Sequence, residues 1–355
     1  MSLPREKRKL AHLSAAMELG DGPGTTGFDD IHLVHNALPE LDWDEIDLHT
    51  TFCGKTLSSP VFINAITGGA REAKRINRAL AQVAARRGLA MAVGSQTAAV
   101  EEPGLKDTFQ VVRDMNPDGF VMANVGAHVP LEWAVEAVEM IRADALQVHL
   151  NVPQEMAMNE GERRFRGSLE RISDMARRLP VPVVVKEVGF GIAREEAARL
   201  IPTGIRAIDV GGKGGTNFIA IELARRSGEA VGEAFLEWGI PTAVSLVEVA
   251  EEAGTRIDIA ASGGIRRGLD AAKALALGAS TIGIAGPLVR LLAREDDGLL
   301  DEEISRLEKE LRLVMLLTGA RTVGDLRRRP VVITGRTAEW LSRRGIDLSH
   351  FAARG

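Results

Sequence analysis

The chain has 355 residues, 45% of them apolar and 4% aromatic with no tyrosine, and carries a net charge of −5. That apolar share fills a large core and excludes global disorder, while the mild negative charge argues against nucleic acid as the main partner. The single cysteine, Cys53, excludes an intrachain disulfide, and no run of about 18 apolar residues reads as a membrane span.

The basic stretch Met1–Leu13 has no apolar run behind it, so it does not read as a signal peptide, and a cytoplasmic location is expected. Gly22, Gly24 and Gly27 spell G-x-G-x-x-G, the dinucleotide fingerprint, but no strand precedes them; the segment reads as a flexible loop. Residues 1–58 are expected to form an N-terminal extension in which Leu33–Leu57 makes a cap or hairpin. Residues 59–290 then form one barrel domain and 291–355 a C-terminal helical tail.

Eight short apolar runs follow: Val61–Ile66, Leu89–Gly94, Gly119–Val125, Ala145–Asn151, Pro182–Val188, Ala207–Val210, Asp258–Ala261 and Thr281–Ala285. Nearly continuous hydrophobicity suits parallel strands buried on both faces. Helical stretches alternate with them, at Arg71–Arg87, Leu105–Met115, Leu131–Ile141, Gly167–Arg178, Arg194–Leu200, Phe218–Glu252 in two pieces, and Arg266–Leu277. Eight alternations predict the α/β class and a closed (β/α)8 TIM barrel with an N-terminal extension and a C-terminal helix; an open doubly wound sheet is the alternative. In the tail, Ile304, Leu307, Leu311, Val314 and Leu317 are spaced to dock a helix on the barrel wall, or to form a subunit interface.

Active sites of such barrels lie at the strand C-termini. Nearly every run here ends in a glycine or a hydrogen-bonding side chain, which turns alone would explain for one or two strands but not for eight. Ser262-Gly263-Gly264 and Ala285-Gly286-Pro287 each open a helix, as a phosphate site after strands 7 and 8 requires, and Gly211–Thr216 adds close backbone approach. Lys186 ends strand 5 and needs an anion, either a neighbouring carboxylate or an electron-rich flavin edge. His149-Leu150-Asn151-Val152-Pro153-Gln154-Glu155 is the densest group. His149 and Asn151 are expected on one strand face, and the carboxylate of Glu155 suits a phosphorylated substrate held through Mg2+. Helix capping explains Asn151 or Glu155 singly.

These motifs closely resemble the type 2 isopentenyl diphosphate isomerases from Arg8 to about Leu317. The resemblance is carried by Arg8-Lys9-x-x-His12, Ile63–Gly69, Val93-Gly94-Ser95-Gln96, His149–Glu155, Lys186–Gly191, Gly214–Asn217, Trp238–Thr242, Ala261–Ile265 and Ala285-Gly286-Pro287. It implies conversion of isopentenyl diphosphate to dimethylallyl diphosphate by a homo-oligomer, a tetramer or octamer, using reduced FMN, Mg2+ and NADPH as reductant. By that resemblance Ala65, Ile66, Thr67, Ser95, Asn124, Lys186, Thr216, Gly263, Gly264, Ala285 and Gly286 hold FMN. Arg8, Lys9, Ser95, Gln96, Thr97, His149, Asn151 and Gln154 meet the substrate, with Gln154, Lys186 and His149 catalytic and Glu155 on the metal. Thr97 stands where the family usually has arginine, Leu10 and Ala11 where it has acids, and Gly211 where serine is common. An FMN-dependent α-hydroxy acid oxidase or dehydrogenase is the competing enzyme class, but it needs a histidine and an arginine near strand 6, and Gly211–Gly215 contains neither. A non-catalytic ligand-binding barrel is the third reading.

Overall fold

The computed structural model describes residues 14–15, 18–224, 232–292 and 298–355. Its centre is eight short strands: β1 (Val61–Ile63), β2 (Met91–Ala92), β3 (Val121–Gly126), β4 (Ala145–Leu150), β5 (Val183–Glu187), β6 (Ala207–Asp209), β7 (Asp258–Ser262) and β8 (Thr281–Ile284). All pair in parallel, and β8 joins β1 through Ile282↔Val61 and Ile284↔Ile63, closing the sheet. The open alternative is thereby excluded. Several strands are shorter than their apolar runs. Gly94, for instance, leaves the β2 ladder and donates its N–H to Thr67 O at 3.0 Å.

Helices wrap the strands with their apolar stripes inward. Arg71–Arg87 buries Ala73, Ile76, Leu80, Val83 and Ala84 at helical spacing, and it stops where Gly88 turns left-handed at φ 64°. The stretch after strand 6 is two pieces, Phe218–Ala224 and Thr242–Ala253. The tail helix Gly298–Thr318 buries Ile304, Leu307, Leu311, Met315 and Thr318. Leu317, expected on that stripe, is 43% exposed, because the 3–4–4–3 spacing carries the buried face to Met315. This helix docks on the barrel wall, where Gly268 admits it: a Cβ there would lie 2.5 Å from Leu307 O.

The bottom of the barrel is plugged by a hairpin, Thr50–Phe52 with Lys55–Leu57. Its two-residue turn, Cys53-Gly54, takes φ 51° and 78°, the left-handed pair such hairpins favour. Burial pushes the Cys53 thiol up to about 12, so it is an inert packing group. Phe52 stacks on Phe62 and meets Phe120 edge-on, filling the end of the barrel opposite the site.

Two other expectations are corrected. The Gly22–Gly27 segment is held rather than loose: Gly22 N–H donates to Gly215 O at 2.8 Å and Ala243 N–H to Thr26 O at 2.9 Å. The tail runs Arg327-Arg328-Arg329 and Arg343-Arg344, which by charge alone read as solvated surface, include three anchors. Arg327 donates to Ala279 O, Arg329 to Gly319 O, and Arg344 pairs with Glu195 and the buried Glu248. Strand Val331–Ile333 of the tail pairs antiparallel with Ile31–Leu33 of the N-terminal extension.

Because Phe52 closes the barrel floor, Phe52→Ala should cost about 3–5 kcal/mol of stability while leaving the opposite mouth intact. Urea unfolding followed by circular dichroism measures the loss; an unchanged midpoint would show that the plug is dispensable.

Candidate active site

The strand C-termini border a cavity of ≈ 740 Å³, within the range of cofactor and ligand sites. Its wall includes Ala65, Ile66, Thr67, Ser95, Thr97, Asn124, His149, Asn151, Gln154, Glu155, Lys186, Thr216, Gly263, Gly264, Ala285 and Gly286. Gln96 is the exception. It is fully buried and turned away, donating to Ala137 O at 2.9 Å and accepting from Asn124 N–H at 3.0 Å, so it braces β3 instead of facing a substrate. Arg8 and Lys9 lie outside the described residues.

One end of the cavity is lined by closely packed glycines. Gly263 and Gly264 take φ 109° and 76°, and a Cβ on them would sit 2.1 Å from Gly212 O and 2.2 Å from Gly214 O. Glycine is therefore required where two backbones press together. Above them Gly286 opens the helix Gly286–Leu292, whose Arg290 bears a buried Nη1 without a hydrogen-bond partner. Thr216 Oγ1 and that same Nη1 would each lie 3.2 Å from a Cβ at Gly286. An orphaned guanidinium nitrogen, a hydroxyl and a glycine-lined helix start fit a phosphate group. Arg290 was not legible from the sequence, being one more arginine in an apolar helix.

The opposite wall carries the His149–Glu155 group. β4 ends at Leu150, so Asn151 lies past the strand rather than on it and caps a short helix, Val152–Ala157, with Pro153 in its first turn. Proline suits a first helical turn. Asn151 Nδ2 donates to Glu155 Oε1 at 2.8 Å and to Gln154 Oε1 at 3.3 Å, and Glu155 Oε2 accepts from Glu162 N–H at 2.7 Å. Among the described residues no group of three His, Cys, Asp or Glu side chains could hold a metal. Glu155 thus offers a hard cation one carboxylate, which suffices for Mg2+ only with substrate oxygens and water completing the shell. Gln154 Nε2 donates to Glu222 Oε1 at 3.2 Å. Sequence reading missed Glu222, although a carboxylate inside the apolar helix Phe218–Ala224 is a signal, and it is 1% exposed. It also missed Arg163 and Arg164, which bring positive charge to the same wall.

Between these ends stands Lys186, cross-strand partner of His149 on one side and Asp209 on the other. Its Nζ donates to Glu187 O at 2.6 Å and lies 3.7 Å from Asp209 Oδ2. An ammonium has three N–H groups, so one is left for a ligand. The next residue, Glu187, accepts the N–H groups of Val188, Gly189 and Phe190 on Oε2 at 2.5–2.7 Å. Burial pushes its carboxyl up to about 7, against the downward pull of those bonds and of Lys186.

This fold and site define a class, the FMN-dependent (β/α)8-barrel enzymes. A family model described as FMN-dependent dehydrogenase matches residues 122–333. Solved structures of similar shape include a lactate oxidase from Pediococcus acidilactici (TM-score 0.67, 19% identity, 93% of each chain) and a flavocytochrome b2 (TM-score 0.66, 16% identity, 97% of this chain and 84% of the other). At such identities they show the fold alone. Isopentenyl-diphosphate delta-isomerases from Moorella thermoacetica and Symbiobacterium thermophilum are each 50% identical, over 96% and 99% of this chain and 97% and 98% of theirs. The chain belongs to the isopentenyl-diphosphate delta-isomerase family.

Two outcomes test the site. Arg290→Gln should weaken FMN binding by about ten- to a hundredfold, as loss of a charged hydrogen bond of ~1.5–3 kcal/mol implies; flavin fluorescence titration reads it. Glu187 holds its proton more tightly folded than unfolded, so its contribution is full below the ordinary glutamate value of 4.5 and is lost as pH rises through about 7. Because Oε2 alone takes all three N–H groups, Glu187→Gln should keep them, and Tm of the wild type should fall relative to this variant between pH 5 and 8.

Proposed function

We propose that this chain interconverts isopentenyl diphosphate and dimethylallyl diphosphate, using reduced FMN, Mg2+ and NADPH as the reductant of the flavin. In this reading it serves isoprenoid biosynthesis in the cytoplasm as a homo-oligomer, a tetramer or octamer. The observation that carries the proposal is the pairing of Gln154 with the buried Glu222 beside His149, Asn151 and Glu155, across one cavity from the glycine-lined anion end.

The two ends divide the labour. Thr216, Gly263, Gly264, Ala285, Gly286 and Arg290 hold the FMN phosphate, and Ala65, Ile66, Thr67, Ser95 and Asn124 line the ring's pocket. Lys186 would offer a positive charge to the flavin from the cavity wall. His149, Asn151 and Thr97, with Arg8 and Lys9, hold the diphosphate, and Glu155 binds it through Mg2+. Reduced FMN, held by these residues, would supply proton-transfer chemistry for the alkene. The alkene is a very weak base, so both proton steps need a dry, positioned acid and base. A glutamine cannot exchange the proton alone, but Gln154 orients the substrate while its partner Glu222 can hold and release one.

The α-hydroxy acid oxidase reading needs a histidine and an arginine beside strand 6. Gly211-Gly212-Lys213-Gly214-Gly215 bears neither, which counts against it.

The test is anaerobic NMR of isopentenyl diphosphate with the protein, FMN, Mg2+ and NADPH, watching for dimethylallyl diphosphate. Lys186→Ala and Gln154→Ala should lower kcat by roughly 10²–10⁴-fold, the span of acid–base contributions. Glu155→Gln should chiefly raise the Mg2+ and substrate concentrations required. Full turnover by the oxidised protein with no reductant would sink the reading.

A further inference from the structure

From the cavity floor downward runs a continuous chain of polar side chains, of which Asp209, Asn64 and Gln147 have no role above. It starts at Asp209, which is 0% exposed and does not line the cavity. Asp209 Oδ1 accepts from Ser262 Oγ at 2.6 Å and from Gly211 N–H at 3.3 Å, while Oδ2 accepts from Asn64 Nδ2 at 2.7 Å. Asn64 Oδ1 takes Gln147 Nε2 at 3.1 Å, Gln147 Oε1 takes Asn124 Nδ2 at 3.1 Å, and Asn124 Oδ1 meets His149 Nδ1 at 2.8 Å.

The direction of every link is forced from the carboxylate end. A carboxylate only accepts, so Asn64 must turn its NH2 to Asp209 and its oxygen to Gln147. The Ala65 N–H, 2.8 Å from Asn64 Oδ1, fixes the same orientation independently. Gln147 and Asn124 then have one choice each, and the last oxygen in line requires a proton on His149 Nδ1. We propose that Asp209 is a positioning residue that sets the tautomer of His149 through three relayed amides, so that Nε2 is the nitrogen whose proton comes and goes. Burying four polar side chains without such consistent pairing would be strongly unfavourable, so the chain acts as one unit.

The consequence for the reaction rests on the isomerase reading; the tautomer does not. With Nδ1 committed to Asn124, protonation of His149 places the new N–H on Nε2. A reversed chain would present the wrong nitrogen.

Protein labelled with [15N]histidine, with and without FMN, tests this by long-range 1H–15N correlation at a pH where the ring is neutral, with His149→Gln assigning the signal among seven histidines. The wild type should show a pyrrole-type Nδ1 and a pyridine-type Nε2. Asp209→Asn removes the acceptor-only end, and Gln147→Met cuts the chain without touching Asp209; each should mix or invert the two nitrogens. Should Asp209→Asn not fold, Gln147→Met decides. An unchanged Nδ1–H tautomer in the folded variants overturns the proposal. Under the isomerase reading Gln147→Met should also raise KM for isopentenyl diphosphate about tenfold with kcat little changed. An altered tautomer with wild-type KM would instead count against the role given to His149.

Discussion

Everything at the site depends on the hydrogen bonds between β8 and β1. By joining the last strand to the first they turn eight separate strand ends into one rim, so that residues as distant in sequence as Asn64 and Ser262 share a partner in Asp209. Without closure Gly263 and Gly286 would not face Lys186. Closure also fixes register: His149, Lys186 and Asp209 are direct cross-strand neighbours, all turned to the interior. A slip of one residue on any strand would move its side chain to the helix side.

The interior is divided along its axis by polarity. The lower part is Phe52, Phe62, Phe120 and small apolar residues, dry and close-packed. Above it comes a layer of amides and a carboxylate whose donors and acceptors are matched to one another. The lower layer closes one side of the upper one, and the low polarity there strengthens its hydrogen bonds and leaves little tolerance for an unmatched group. Such an arrangement holds its geometry before any ligand arrives, as a site meant to stabilise charge must.

Much of this was readable from the residues in order. The strands were legible because buried parallel strands are almost uniformly apolar, and the glycine-lined end of the cavity because glycines follow the last three of them. What escaped the reading were residues whose meaning lies in a partner from another strand. Glu222 and Arg290 sit in apolar helices and gain significance only when Gln154 and Gly286 are brought beside them. Gln96 failed in the opposite way: it belongs to a motif that faces the cavity, yet its own amide is spent on Ala137 and Asn124. The G-x-G-x-x-G segment reads as a loose loop in sequence, but its grip on Gly215 and Ala243 depends on contacts about 200 residues away.

The clasp between Ile31–Leu33 and Val331–Ile333 imposes an order on the making of the protein. Its two halves are separated by nearly the whole chain, so the barrel can assemble during synthesis while the first strand waits for its mate to emerge. Contacts of such long range are the slowest to form. The segment from Asp21 to Asp30, which reaches Arg266 at the rim and Thr334 in the tail, is therefore among the last parts to settle. The mouth of the site, where Asp21 meets Arg266, is finished only after the clasp has closed.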